Sequence, residues 1–229
     1  MGWGDLCRWT NIPFLVVGVL TTTLQDPLYS SLRWCGPTLI MVGIGSMMFH
    51  GQLTRLGQAV DELAILYWEI TLLFTVFEKQ LRARPFLSRY IWALFLAENV
   101  LYFQMDRNPK LGWFLYHPLH LVVDIVVVSG LYVQCGKHAS AWRFIRLGLI
   151  LILIAFSAWL LDMFHCDAVR GWHLHAFGWH FFALGAITCL HIALAMQICI
   201  QNKRDTCRIF GLTLPLRDEA AISREGHRT

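Results

Sequence analysis

The sequence predicts an all-α integral membrane protein, built as a bundle of seven transmembrane helices. Of its 229 residues, 56% are hydrophobic and only 15% are charged, whereas a soluble domain carries about 25% charged residues. The mean hydropathy is +0.51. Charged residues divide the chain into seven apolar stretches, each close to the roughly 20 residues that a helix needs to cross a bilayer. The chain is therefore expected to lie in a membrane.

The predicted spans follow one another with short connections. They comprise residues 11–25, 36–53, 62–77, 90–105, 117–135, 147–165 and 172–199. A polar tail, residues 203–229, follows the last span and is predicted to be cytosolic and partly disordered. The chain thus divides into a seven-span domain, residues 1–202, and this tail.

The basic residues predict the orientation of the bundle. Cytosolic connections carry an excess of Lys and Arg, and most of the 19 such residues lie in the tail and after the first, third and fifth spans. The N-terminus is therefore predicted to be lumenal and the C-terminus cytosolic. The sequence has no basic stripe interleaved with aromatic residues and no CxxC pair, which argues against a nucleic-acid partner and against a thiolate zinc site.

Polar residues concentrate at one predicted face of the membrane. The second span ends in GIGSMMFHG, with Ser46 and His50, and the third begins near Asp61. The sixth span ends in WLLDMFHCD, with Asp162, and the seventh opens with GWHLHAFGWH. On the predicted topology these segments all meet at the lumenal face. Because polar groups are costly in a membrane bundle, we interpret them as one functional site.

The histidines at this face suit a zinc site. Three neutral imidazoles are a common ligand set for catalytic zinc, which lowers the pKa of a bound water towards about 7. Asp61 is the candidate general base. Ser46 lies one turn before His50, where it could hydrogen-bond that water or a developing oxyanion. The candidate ligands are His50, His173, His175 and His180.

Further polar residues lie within or beside the spans. Glu69, Glu98 and Asp124 lie near the middle of three spans, where they could form a proton relay, join helices through hydrogen bonds or line a polar substrate cavity. His117 and His120 precede most of the fifth span and are expected at its rim.

Three motifs resemble those of the alkaline ceramidases. GIGSMMFHGQLTRLGQAVDEL, residues 43–63, resembles the family signature, which is approximately G-x-G-S-x-x-F-H-x-T-L followed by Q-x-x-D-E, with Gln52 where Thr is common. WLLDMFHC resembles the family's W-x-x-D-x-x-x-C, and HAFGWH resembles its H-A-x-W-H. NIPFL and FGLTLP, near the two ends of the chain, also resemble segments of the family in residue type. The likeness therefore covers nearly the whole chain.

This resemblance implies a seven-helix enzyme of the endoplasmic reticulum or Golgi with a lumenal active site. It implies hydrolysis of the amide bond of ceramide, dihydroceramide or phytoceramide to a sphingoid base and a free fatty acid. Zinc is the implied cofactor, held by His50 and two histidines that open the last span, while the family's serine and aspartate fall on Ser46 and Asp61. The expected partners are the bilayer and its ceramide, with no nucleic acid and no obligate protein partner.

Two departures from the family pattern affect the site. The family's last two histidines are four residues apart, whereas His175 and His180 are five apart, which is about 140° on a regular helix. A π-bulge would bring them together, and we favour His175 over His173 because the HA pair matches the family there.

The second departure lies before the first span. Calcium-binding members of the family carry several acidic and amide residues in that segment, whereas this chain offers little beyond Asp5 and Asn11. A Ca²⁺ site is therefore doubtful.

The resemblance also implies a disulfide between Cys166 and a cysteine before the first span, for which Cys7 is the candidate; two free thiols are the alternative.

Two other functions stay open. One is a seven-helix lipid receptor of the progestin and adipoQ type, which has a similar set of Ser, His and Asp residues but generally the opposite orientation. The other is a catalytically inactive relative that binds lipid or acts as a scaffold.

Overall fold

The computed structural model describes residues 9–24, 26–104, 109–135 and 138–216, most of which are helical. The helices are α1 Ile12–Thr22, α2 Cys35–Gln52, α3 Arg55–Val76, α4 Glu78–Ala83, α5 Pro85–Gln104, α6 Pro109–Cys135, α7 Ala139–Val169 and α8 Phe182–Gln201. Short 3-10 turns lie at Pro27–Tyr29, Leu32–Trp34 and Arg170–Trp172, and a π-helical segment, Leu174–Phe181, runs into α8. An antiparallel hairpin of β1 Thr206–Ile209 and β2 Leu212–Pro215 follows α8.

Each predicted apolar stretch overlaps one of the long helices. Within the described ranges, three helical segments have the length and hydropathy to cross a membrane: Leu32–Gln52, Ala139–His165 and Leu174–Gln201. Ile12–Thr22 and His120–Cys135 are apolar but shorter. The helical membrane character of the chain is therefore supported, while the seven spans and the orientation of the termini stay predictions.

Helix α8 forms the centre of the bundle. Every residue from His191 to Cys199 is buried, and α8 packs along its length against α7. Helix α7 lies on the outside, with exposed apolar side chains such as Leu153 and Phe156. Helix α2 packs between α1 and α3. The outer apolar surface suits contact with lipid tails rather than with water.

A close crossing of α2 and α3 sets the position of two predicted catalytic residues. A Cβ atom on Gly45 would lie 2.8 Å from the Cα atom of Asp61, so a larger residue would force the helices apart. The Asp61 backbone therefore lies directly against Gly45, the residue before Ser46. Helix α3 begins just before this crossing because the Thr54 side chain accepts a hydrogen bond from the Gly57 N–H and caps the helix.

The C-terminal hairpin was not foreseen in the sequence. Cys207 and Ile209 of β1 are 0% and 1% exposed, which is the alternation expected of a strand with one buried face. The hydroxyl of Tyr29 lies 3.2 Å from Cys199 Sγ and 3.7 Å from Cys207 Sγ. The hairpin thus closes the end of the bundle where α8 finishes, and residues 206–215 of the predicted tail are folded.

Some predictions fall outside the described residues. The rest of the predicted tail, residues 217–229, belongs to that part of the chain, as do Asp5, Cys7 and the side chains of His117 and Cys166. The Cys7–Cys166 disulfide therefore stays a prediction.

Candidate metal centre

Three histidines from two distant parts of the chain meet at one end of the bundle. His50 comes from the last turn of α2, and His175 and His180 come from the π-helical segment. One nitrogen atom of each ring lies within 4.8 Å of those of the other two. The ring centroids of His50 are 4.7 Å from His175 and 5.2 Å from His180, and the latter two are 5.0 Å apart. The structure therefore brings the three predicted ligands together.

The π-helical segment explains how a five-residue spacing can serve this site. A π-helix pairs residue i with residue i+5, so His175 and His180 lie on the same side of Leu174–Phe181. The predicted π-helical geometry is confirmed. His173, the alternative ligand, precedes the segment in a left-handed backbone conformation with φ 49°. Among the described residues it does not belong to the histidine cluster.

His180 is held by one ring nitrogen and offers the other. Its Nδ1 lies 2.8 Å from Thr10 Oγ1, and the residue is only 2% exposed. Its Nε2 is buried and has no hydrogen-bond partner in the described part of the chain. Buried polar atoms nearly always have a partner, so this nitrogen points to a ligand that protein atoms do not supply.

His191, further along the same helix, provides the contrast. It is fully buried, but both ring nitrogens are used: Trp68 Nε1–H donates to Nε2 at 3.3 Å, and Nδ1 lies 3.1 Å from Thr21 Oγ1. Because an indole can only donate, Nε2 of His191 accepts and Nδ1 carries the proton. His191 is therefore a satisfied core residue, and burial alone does not distinguish His180.

Asp162 completes the polar surroundings of the cluster. Its Oδ2 lies 3.6 Å from His175 Nδ1, and its charge also acts on His50. Its Oδ1 is buried without a hydrogen-bond partner in the described ranges. A carboxylate beside one nitrogen of an imidazole orients the ring and leaves the other nitrogen available for a metal. The sequence predicts Asp162 at this face and within a family motif, but its role beside His175 appears only in the structure.

Ser46 and Asp61 lie at the same end of α2 and α3 as His50. Ser46 is 5% exposed and one turn before His50 on α2. Asp61 is half-buried at the α2–α3 crossing. In the described part of the chain the Asp61 carboxylate forms no ion pair with the three histidines. A water molecule or a substrate would have to lie between them for Asp61 to act at the cluster.

A second polar cluster lies between α3, α5 and α6. His120 Nδ1 is 2.6 Å from Glu69 Oε2, and His120 Nε2 is 3.6 Å from Glu98 Oε1. The side chain of His120 is 13% exposed and paired across helices, and its position at the rim of the membrane stays a prediction. Asp124 interacts electrostatically with Glu69 and His120. The Glu69–His120 contact favours interhelical hydrogen bonding among the three predicted alternatives.

The sequence matches the family model described as Ceramidase over residues 8–215. The chain belongs to the ceramidase family. It is similar to Alkaline ceramidase 1 of Homo sapiens, with 24% identity over 190 residues that cover 75% of this chain and 68% of the relative. It is also 28% identical over 154 residues to Alkaline ceramidase of Drosophila melanogaster, covering 63% of this chain and 52% of the relative.

Putative alkaline ceramidase dcd3A of Dictyostelium discoideum is a third relative, 25% identical over 168 residues that cover 63% of this chain and 57% of that protein. The matches thus span between about half and two thirds of the length of these ceramidases. No solved structure gives a significant match. The family resemblance read from the motifs is confirmed, and the protein is classified as a ceramidase-type hydrolase.

Proposed function

We propose that this member of the ceramidase family is a zinc-dependent amidase that hydrolyses ceramide, dihydroceramide or phytoceramide to a sphingoid base and a free fatty acid. The main support for the proposal is that His50, His175 and His180 meet at one end of the helical bundle. The substrate class comes from the relatives, which are named alkaline ceramidases. Zinc is proposed as the metal because three imidazoles are a usual ligand set for it.

The donor set fits zinc. Three imidazoles with an open fourth position are a usual ligand set of catalytic zinc, and the partnerless Nε2 of His180 supplies one donor. Thr10 supports the ring of His180, and Asp162 lies against that of His175. Calcium prefers oxygen ligands, so this cluster does not suit Ca²⁺.

When bound, zinc would lower the pKa of a water and polarise the amide carbonyl. Asp61 would take the proton from the attacking water and return it to the leaving amine nitrogen. The hydroxyl of Ser46 would donate a hydrogen bond to the carbonyl oxygen as that oxygen becomes negative. The hydroxyl of the water ends on the acyl carbon, which gives the fatty acid, and the C–N bond breaks to give the sphingoid base.

A two-tailed lipid reaches such a site from within the bilayer. The exposed apolar side chains of α7 and the outer helices suit a lipid environment around the site. We place the protein in the endoplasmic reticulum or Golgi with seven spans, a lumenal N-terminus and a cytosolic C-terminus. The histidine cluster would then act at the lumenal side.

Purified protein tests this proposal through zinc content and fatty-acid release from a panel of ceramides. We expect stoichiometric zinc, release from at least one ceramide, and loss of both in His50→Ala. Zinc-loaded protein that releases no fatty acid from any ceramide would favour the lipid receptor. Folded wild-type protein that binds no zinc would favour the inactive relative.

A further inference from the structure

A groove opens at the end of the bundle opposite to the histidine cluster. It lies where the turn before α2 meets the last turns of α3, helix α4 and the first turns of α5, and its volume is about 790 Å³. Trp34 lines the groove and precedes α2, whereas His50 lies near the end of that 18-residue helix. At about 1.5 Å per residue the helix is long enough to keep the groove well apart from the histidines. The groove is therefore a separate feature.

The floor of the groove is aromatic and apolar. Phe74 and Trp92 pack with ring centroids 5.6 Å apart, and Ile70 lines the same groove. Trp34 is 71% exposed and Trp92 is 47% exposed. Large aromatic side chains that face one concavity mark a surface suited to an apolar ligand.

The groove also has a basic and hydroxylic side. Arg82, Ser88 and Arg89 line it together with the aromatic residues. Glu78 also lines the groove and is paired with Arg82 at 2.6 Å, so Arg89 supplies the positive charge that is left over. Arg89 has no ion pair within the described ranges. A guanidinium without an acidic partner, next to a hydroxyl, is a suitable group for a phosphate.

We propose that this groove binds one anionic phospholipid, with an acyl chain along Phe74 and Trp92 and the headgroup phosphate at Arg89 and Ser88. Charge complementarity identifies this occupant, because basic pockets between helices bind anionic lipid headgroups. Phosphatidylserine and phosphatidylcholine share the chains, the phosphate and a headgroup ammonium, but the carboxylate of phosphatidylserine leaves it with a net negative charge that complements Arg89. The groove shares no residue with the histidine cluster, so this site does not depend on the proposed hydrolysis.

Native mass spectrometry of the full chain in detergent tests the site, with phosphatidylserine and phosphatidylcholine of matched acyl chains as probes. We expect the wild type to bind phosphatidylserine more tightly. Arg89→Gln should weaken phosphatidylserine binding about fivefold, since one basic residue near an anionic lipid contributes about that factor. Arg84→Gln is the matched control, because Arg84 is exposed and does not line the groove, and it should bind as the wild type does.

A second variant separates loss of the groove from loss of charge. Ser88→Trp keeps both arginines but fills the groove, so it should also lose selective retention of phosphatidylserine. Equal binding of the two lipids by the wild type would overturn the proposal, as would equal losses in Arg84→Gln and Arg89→Gln. Displacement of phosphatidylserine by millimolar inorganic phosphate would likewise show that the groove recognises the ion rather than a lipid.

Discussion

The chemical role of a buried histidine in this protein depends on its second nitrogen. His191 uses both nitrogens, on Trp68 and Thr21, whereas His180 uses Nδ1 on Thr10 and leaves Nε2 without a protein partner. Truncating a satisfied buried residue leaves its partners unpaired and costs about 1–3 kcal/mol of stability. Truncating His180 removes the Thr10 contact too, but it also removes Nε2, a donor that the fold itself does not use.

We therefore expect His180→Ala to lose zinc, and His191→Ala to keep zinc per folded molecule while its melting temperature falls. The measurements are metal content and thermal unfolding of the purified proteins. His173→Ala is the matched control in the same region of the chain and should retain most of its zinc. Full zinc occupancy in His180→Ala would remove that residue from the ligand set, and metal loss in His173→Ala alone would reverse the assignment.

The two aspartates at the site predict different defects. Asp61→Asn preserves shape and removes the base, so it should keep zinc and lose about 100- to 10,000-fold in turnover. Asp162→Asn weakens the support of His175 and should lower zinc affinity about 10- to 100-fold, with turnover recovering as zinc is raised. Zinc titration combined with fatty-acid release distinguishes them. Wild-type turnover in Asp61→Asn would move the base elsewhere, with Glu62 the nearest carboxylate in sequence.

At the scale of elements, the π-helical segment reconciles the histidine spacing with the site. Its extra residue relative to an α-helix lies between His175 and His180, a stretch that includes the exposed Phe177 and the buried Gly178. Gly178 cannot be exchanged freely, because a Cβ atom there would lie 2.5 Å from the Cβ atom of Ala158. Phe177 is exposed, so it can be removed without loss of core packing.

Deleting Phe177 should convert the segment into a regular α-helix with its two histidines four residues apart and on one face. We expect this variant to retain zinc. Inserting an alanine after Phe177 should separate the histidines by six positions and abolish zinc binding. Zinc content of both purified proteins is the measurement. Loss of zinc in the deletion, with the fold intact by circular dichroism, would show that the π-helical geometry itself is required.

At the scale of the whole molecule, sequence and structure differ in what they reveal. Residues at the ends of successive spans can be assigned to one face from topology, which is why His50, His175 and His180 were predictable as one site. Which helices are neighbours is harder to predict, because lipid-facing and core-facing sides are both apolar. The Glu69–His120 pair spans 51 positions in sequence and the Thr10–His180 contact spans 170. Neither pair could be inferred from periodicity.

The two ends of the bundle predict the orientation of the molecule in the membrane. The groove and the hairpin lie at one end of the bundle and the histidine cluster at the other, and the positive-inside rule predicts that the first end is cytosolic. Thr213→Cys, exposed on β2, should react with an impermeant maleimide once the plasma membrane is permeabilised. Asp167→Cys, exposed near the histidines, should react only after internal membranes are dissolved. The described native cysteines are buried, and the unmodified protein measures the remaining background. The reverse labelling pattern would place the histidines in the cytosol and favour the orientation of the progestin and adipoQ receptors.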